Sequence, residues 1–174
     1  MPAATFEDLA LPLFDQLYNF AHWLTQDRVE AEDLVQETYV KALRGFASFQ
    51  AGTNFRAWMF RILRNSFLTT KAGLKATVAY DEEKHEADAS ASVPTPEGIL
   101  LEQGDREILQ QALEELALPF REILLLCEVE EMSYQEIAET LGIPSGTVMS
   151  RLSRARKALR GLLQQKLRGE RHGM

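Results

Sequence analysis

The sequence predicts an all-α fold: two small helical domains joined by an acidic flexible linker, the second containing a helix-turn-helix. Three observations carry this prediction. Apolar residues recur at helical spacing along most of the chain, and no convincing alternation of β-branched residues argues for a sheet. That periodicity stops at DEEKHEADASASVPTP, Asp81 to Pro96, whose acid, Ala, Ser and Pro content is that of a linker. Beyond it, SYQEIAETLGIPSGTVMSRLSRARKAL has the spacing of a helix-turn-helix. A length of 174 residues, 45% of them hydrophobic, allows either one domain or two. The break puts the domains at residues 1–80 and 101–174, with the linker at 81–100.

The first helical region is expected over about Phe6 to Leu24, with Pro12 early in it, and the second over about Asp27 to Phe46. In the second, Ala31, Leu34, Val35, Thr38 and Ala42 share one side, while Asp33, Gln36, Glu37, Val40 and Arg44 share the other. A valine among acids fits either a partner-binding face or an incidental surface residue. The stretch FASFQAGTN follows, where Gly52 permits a turn and Thr53 or Asn54 can cap the next helix. That helix, about Asn54 to Lys71, places Phe55, Trp58, Met59, Ile62 and Leu63 on a core stripe. Opposite them, Arg56, Phe60 and Arg64 are expected on an outer face continued by Phe67 and Lys71, which would expose an aromatic between cations.

Helical pattern resumes from about Glu97, with Ile108, Leu109, Ala112, Leu113 and Leu116 on one face, and Pro119 marks a break before FREILLLCEVEEM. In the helix-turn-helix, Ser133 and Glu136 form a capping box and Ile137, Ala138 and Leu141 supply the inner face. Gly142 can take the left-handed backbone at the turn. Val148, Leu152, Ala155 and Leu159 dock the second helix, and Met149, Ser150, Ser153, Arg154, Lys157 and Arg160 lie opposite. A second helix with so cationic an outer face suits the major groove better than a hairpin used only for packing.

A net charge of −7 argues at face value against a nucleic-acid partner, but its distribution reverses that impression. Thr38 to Tyr80 and Ser145 to Met174 are each +7, and the remainder is −21. Two basic blocks on an acidic body suggest two contacts with one polyanion, because local potential steers binding more than net charge does. Cys127 is the single cysteine and lies in an apolar run, so a buried structural thiol is expected. No stretch approaches the roughly 20 apolar residues of a membrane span, and no secretory signal pattern begins the sequence. A soluble, cytoplasmic protein without membrane insertion is expected. His22, His85 and His172 are far apart, and no Gly-rich phosphate loop or nucleophile motif is present. Catalysis, a metal and a cofactor are therefore not expected.

Taken together, DLVQETYVKAL, FRAWMFRILRN, the acidic linker and FREILLLCEVEEMSYQEIAETLGIPSGTVMSRLSRARKAL closely resemble bacterial RNA polymerase sigma factors of the extracytoplasmic-function group. The resemblance covers nearly the whole chain in the right order, and GTVMSRLSRARKAL preceded by SYQEIAETLGI is its most specific part. It implies two helical domains, regions two and four, that hold core RNA polymerase at the β′ clamp helices and β flap and read two elements of promoter DNA. It also implies control by an anti-sigma factor. Asp33, Gln36 and Glu37, with Val40, match the face that grips the clamp helices. The loop carrying Phe49, Gln50, Thr53 and Asn54 resembles the segment that receives a base flipped from the minus-ten element. Arg56, Phe60, Arg61, Arg64 and Asn65 fall on the melting and backbone-binding helix that follows it. Ser145, Thr147, Met149, Ser150, Arg151, Ser153, Arg154 and Lys157 would lie along the minus-thirty-five major groove. Many relatives carry Lys or Arg at the position of Met149, which leaves that contact open. The linker is implied to thread towards the polymerase active centre and the RNA exit path. The rival reading is a stand-alone helix-turn-helix regulator that binds duplex DNA as a dimer.

Overall fold

A computed structural model describes residues 4–50, 52–70, 74 and 103–172. Every regular element among them is helical. The first half holds α1 (Phe6–Ala10), a 3-10 turn (Leu11–Leu13), α2 (Phe14–Thr25), α3 (Arg28–Gly45), a second 3-10 turn (Phe46–Ser48) and α4 (Phe55–Leu68). The second half holds α5 (Gln103–Glu115), α6 (Leu118–Leu124), a π-helical turn (Leu125–Val129), α7 (Tyr134–Leu141) and α8 (Ser145–His172). The expected linker at 81–100 lies outside the described residues, as does Lys71.

Local chemistry explains most of the boundaries. The Thr5 hydroxyl accepts from the Asp8 N–H at 3.2 Å and opens α1, and Pro12 then sits in the tighter 3-10 turn, so the first helical region is interrupted where one helix was expected. The Asp27 carboxylate caps α3 through the Glu30 N–H at 3.0 Å. Asn54, of the two candidates, caps α4, its Oδ1 accepting from the Ala57 N–H at 3.0 Å. Gly52 turns the preceding loop with φ 93°. Pro119 belongs to the first turn of α6, where a missing N–H leaves no helical bond unmade.

In the first half, α2 packs along α3, and α4 lies across both. Leu17, Phe20, Ala21, Leu24, Leu34, Val35, Met59 and Leu63 fill the space between them. Thr38 is buried on the inner face of α3 and satisfies its hydroxyl by donating to the Leu34 carbonyl at 2.7 Å. Tyr39 reaches back to donate to the Ala10 carbonyl at 2.7 Å and fastens α1. Phe6, Phe46, Phe49, Phe55 and Trp58 close the end of this bundle in edge-on and tilted contacts, with Phe49 and Trp58 centroids 5.1 Å apart.

The second half is organised around Arg121. Buried in α6, it donates to the carbonyls of Leu113 (2.8 Å), Glu114 (2.9 Å) and Leu116 (3.0 Å), satisfying the end of α5, and to Trp23 of α2 (3.4 Å). Cys127 follows in the π turn and is half-buried, and burial pushes its thiol up. After this turn Glu131 adopts φ 53°, a left-handed strain for a residue with a Cβ. The Ser133–Glu136 capping box forms as the spacing predicts, and Gly142 turns into α8 at φ 68°. Val148, Leu152 and Ala155 are buried against α6 and α7.

The two helical domains do not stand apart. Helix α4 is covered on its other side by α7, and buried residues of both halves form one continuous cluster. This packing overturns one expectation. Phe60 is 0% exposed and Phe67 2%, so neither lies on an outer face. At about 100° per residue, Phe60 borders Met59 and Phe67 borders Leu63, at the margin of the core stripe. Phe60 turns inward onto Phe20, with centroids 5.4 Å apart, and burial of an aromatic of this size stabilises by about 1.5–3 kcal/mol.

Candidate polymerase and nucleic-acid interfaces

Helix α3 presents the first candidate surface. Asp33, Gln36, Glu37 and Val40 are all exposed, and the residues between them, Leu34, Val35 and Thr38, are buried. Glu37 pairs with Lys41 at 3.0 Å within the helix, and that exposed bond leaves the carboxylate accessible. Val40, 47% exposed, has the exposed Leu43 three residues further along the same helix, so the apolar part of this face is larger than one valine. The exposed Leu43 was not among the residues singled out from the sequence.

The second surface is the loop before α4 and the flank of that helix. Gln50 and Thr53 are exposed, and the Thr53 hydroxyl donates to the Gln50 carbonyl at 2.7 Å to hold the turn. Phe49 is half-buried against Phe55 and Trp58 rather than free. Arg61 and Asn65 are exposed. Arg56 and Arg64 are not: each is partly buried and paired with the second half of the chain. The Arg56 guanidinium donates to Glu136 Oε2 at 3.0 Å and to the Glu130 carbonyl at 3.1 Å. Arg64 donates from Nε to Glu122 Oε2 at 2.8 Å.

The two carboxylates are held differently. Burial works against ionisation of Glu136, but contacts from the Asn54 side chain, the Ser133 N–H and Arg56 outweigh it and hold that carboxyl below the usual range. Glu122 is 1% exposed, and burial pushes its carboxyl up despite Arg64, Arg151 and Arg121 nearby. Its Oε1 has no hydrogen-bond partner among the described residues. Neither acid was assigned this role from the sequence. Glu136 was read only as a capping residue, while Glu122 stands as a carboxylate inside the apolar run FREILLL, which is the signal that could have exposed it.

The third surface is the start of α8. Ser145, Met149, Ser150 and Lys157 are exposed, Met149 at 59%, and Thr147, Ser153 and Arg154 are half-buried around them. Arg151 departs from the expected arrangement. It borders the Val148–Leu152–Ala155 stripe, its Nε is buried, and its charge acts on Glu122. Half-buried, it is more enclosed than the exposed Lys157 with which it was grouped. Among the described residues no cluster of His, Cys, Asp and Glu is arranged to hold a metal, and no helix is long and apolar enough to cross a membrane.

Comparison with known proteins matches residues 12–76 to Sigma-70 region 2 and residues 106–159 to Sigma-70, region 4. The chain is 33% identical over 159 residues to RNA polymerase sigma factor YlaC of Bacillus subtilis, a match covering 90% of each protein. It belongs to the extracytoplasmic-function group of the sigma-70 family. This sigma factor is also 36% identical to ECF RNA polymerase sigma factor SigE of Mycolicibacterium smegmatis, over 92% of its own chain but 65% of that relative's length. Its fold matches the sigma factor RpoE of Bartonella quintana, solved in complex with the anti-sigma factor NepR, with a TM-score of 0.68 and 34% identity over 91% of this chain and 96% of that one. The fold of CnrH, solved with the cytosolic domain of CnrY, agrees at a TM-score of 0.67 and 24% identity, covering 92% and 88% of the two chains. As a sigma factor the chain is a transcription initiation factor, not an enzyme.

Proposed function

We propose that this sigma factor binds core RNA polymerase through α3 and directs it to promoters by reading a minus-ten element with the loop and flank of α4 and a minus-thirty-five element with the start of α8. Residues 1–80 and 101–174 act as the two binding domains, joined by the linker at 81–100. Asp33, Gln36, Glu37 and Val40 form the polymerase face, extended by Leu43. Phe49, Gln50, Thr53, Asn54, Arg56, Arg61, Arg64 and Asn65 serve the minus-ten contact, without Phe60, which the core holds. Ser145, Thr147, Met149, Ser150, Ser153, Arg154 and Lys157 serve the minus-thirty-five contact. The protein works in the cytoplasm, where the polymerase is, under an anti-sigma factor, as RpoE is bound by NepR.

The observation that carries this reading is the joining of a region 2 fold and a helix-turn-helix in one chain. A stand-alone regulator has no use for the first, and its DNA contacts need no polymerase. Purified core polymerase and a promoter template make the test. The sigma factor should bind core and support initiation from that promoter, while it fails to protect the DNA alone. Protection of duplex DNA in the absence of core, with no promoter-specific transcript in its presence, would favour the regulator.

A further inference from the structure

The open face at the start of α8 is polar or charged except at Met149. This side chain is 59% exposed, and among the described residues the other large apolar side chain exposed on the helix is Leu167, roughly 27 Å further along at the helical rise. Met149 therefore belongs to no apolar patch of α8. Ser145, Met149 and Ser153 follow one another at four-residue spacing beside the buried stripe of Val148, Leu152 and Ala155, and Ser150 and Lys157 stand next to them. Two of its polar neighbours are held to the backbone. The Ser150 hydroxyl donates to the Thr147 carbonyl at 3.2 Å, and Arg154 donates from Nε to the Ser150 carbonyl at 3.4 Å. An unbranched methionine chain with three rotatable bonds has no such anchor and can adapt to the surface it meets.

We propose that Met149 is a specificity-determining residue of the minus-thirty-five contact, its thioether chain packing on the C5-methyl group of one thymine in the major groove. The inference rests on the minus-thirty-five reading above. Base edges in that groove present hydrogen-bond donors and acceptors almost throughout, and thymine alone adds a methyl group. An apolar side chain near the N-terminus of the second helix of a helix-turn-helix meets base edges, and the methyl is the group it can read there. Phosphate offers it little, since a thioether carries no charge and donates no hydrogen bond. Burial of one methyl against Met149 favours thymine over uracil about fourfold. A guanine in the same place turns O6 and N7 towards a side chain without a donor and binds about tenfold more weakly. The cations of the same helix attract the duplex whatever its sequence, so Met149 contributes selectivity more than affinity.

The test uses holoenzyme assembled from core polymerase and the full chain, which selects duplexes from a pool randomised over the minus-thirty-five element. Wild type should select a thymine at one position, and deoxyuridine there, which removes the methyl and nothing else, should weaken binding about fourfold. Met149→Ala should bind the thymine and uridine duplexes alike. Met149→Arg should select guanine at that same position, because a guanidinium can pair with O6 and N7 together. Both variants should fold as wild type by circular dichroism, since Met149 lies outside the core. Tolerance of uridine at every selected thymine would overturn the proposal, and so would a uridine effect that persists undiminished in Met149→Ala. The two readings fail separately. Selection of particular bases without a methyl-sensitive thymine removes Met149 alone and leaves α8 as the reader of the element, whereas no selection anywhere in the element removes both.

Discussion

Arg121 shows how one side chain organises a domain. Its guanidinium satisfies three carbonyls at the end of α5 and one on α2, all inside the protein. Arg121→Ala should lower unfolding stability by about 3 kcal/mol or more, because the carbonyls lose their donors in a site that water reaches poorly. Arg121→Lys should recover little, since one ammonium cannot span four carbonyls in this fork. Urea unfolding of both variants measures it, and a loss under 1 kcal/mol for the alanine would show that water replaces the guanidinium. Glu122, next along, makes a pH prediction. Its carboxyl is raised by burial above its unfolded value, so its contribution to stability is complete below the ordinary carboxylate range and is lost as pH rises through the folded value. Glu122→Gln imitates the protonated form. The variant should therefore gain stability relative to wild type as pH increases from about 4 towards 7. Denaturation midpoints of the pair that stay parallel over this window would remove Glu122 from the pH dependence.

At the scale of elements, the helix-turn-helix depends on a turn and on a docking stripe. Gly142→Ala puts a Cβ on a left-handed backbone at φ 68° and should cost about 1–2 kcal/mol, seen as a lowering of Tm by a few degrees. Space is not the reason, since the nearest atom a Cβ would meet, on Arg61, is 3.9 Å away. On α8 the docking stripe is buried, and the opposite side carries the proposed minus-thirty-five contacts. Arg154→Ala should weaken binding to the cognate minus-thirty-five element by about 1–3 kcal/mol and spare other sequences, whereas Lys157→Ala should weaken all sequences alike and flatten the salt dependence. Promoter competition assays at two salt concentrations separate these outcomes. Identical, sequence-blind losses would take Arg154 out of base reading.

For the whole molecule, two helices of the first half are used in opposite ways: α3 keeps an exposed outer face, while α4 is packed inward against α7 of the second half. Asp33, Glu37 and Val40 contribute nothing to the core, so reversing both charges should leave the fold intact, each exposed change shifting stability by about 0.5 kcal/mol. Against a basic partner helix the same reversal should cost several kcal/mol of association. A core-polymerase binding assay on Asp33→Lys with Glu37→Lys, beside its melting curve, tests the interface. Wild-type affinity in a folded double mutant would exclude α3 as the polymerase face.

The sequence alone determined what depends on neighbours along the chain. The capping box at Ser133 and Glu136, the left-handed Gly142, a cap for α4 at Thr53 or Asn54 and the inward and outward faces of α3 each follow from residues within about one or two helical turns, where spacing and backbone chemistry act directly; the structure chose Asn54. Tertiary structure decided what depends on packing across the chain. Phe60 and Arg64 were legible as residue types on α4 but not as a buried ring and an occupied cation, because periodicity measures one helix against an imagined single core. Helix α4 packs on α2 and α3 on one side and on α7 on the other, and α7 comes from more than 60 residues away. An amphipathic pattern cannot encode a surface that a distant helix covers, so the partners Glu136 and Glu122 became visible only once both domains stood together.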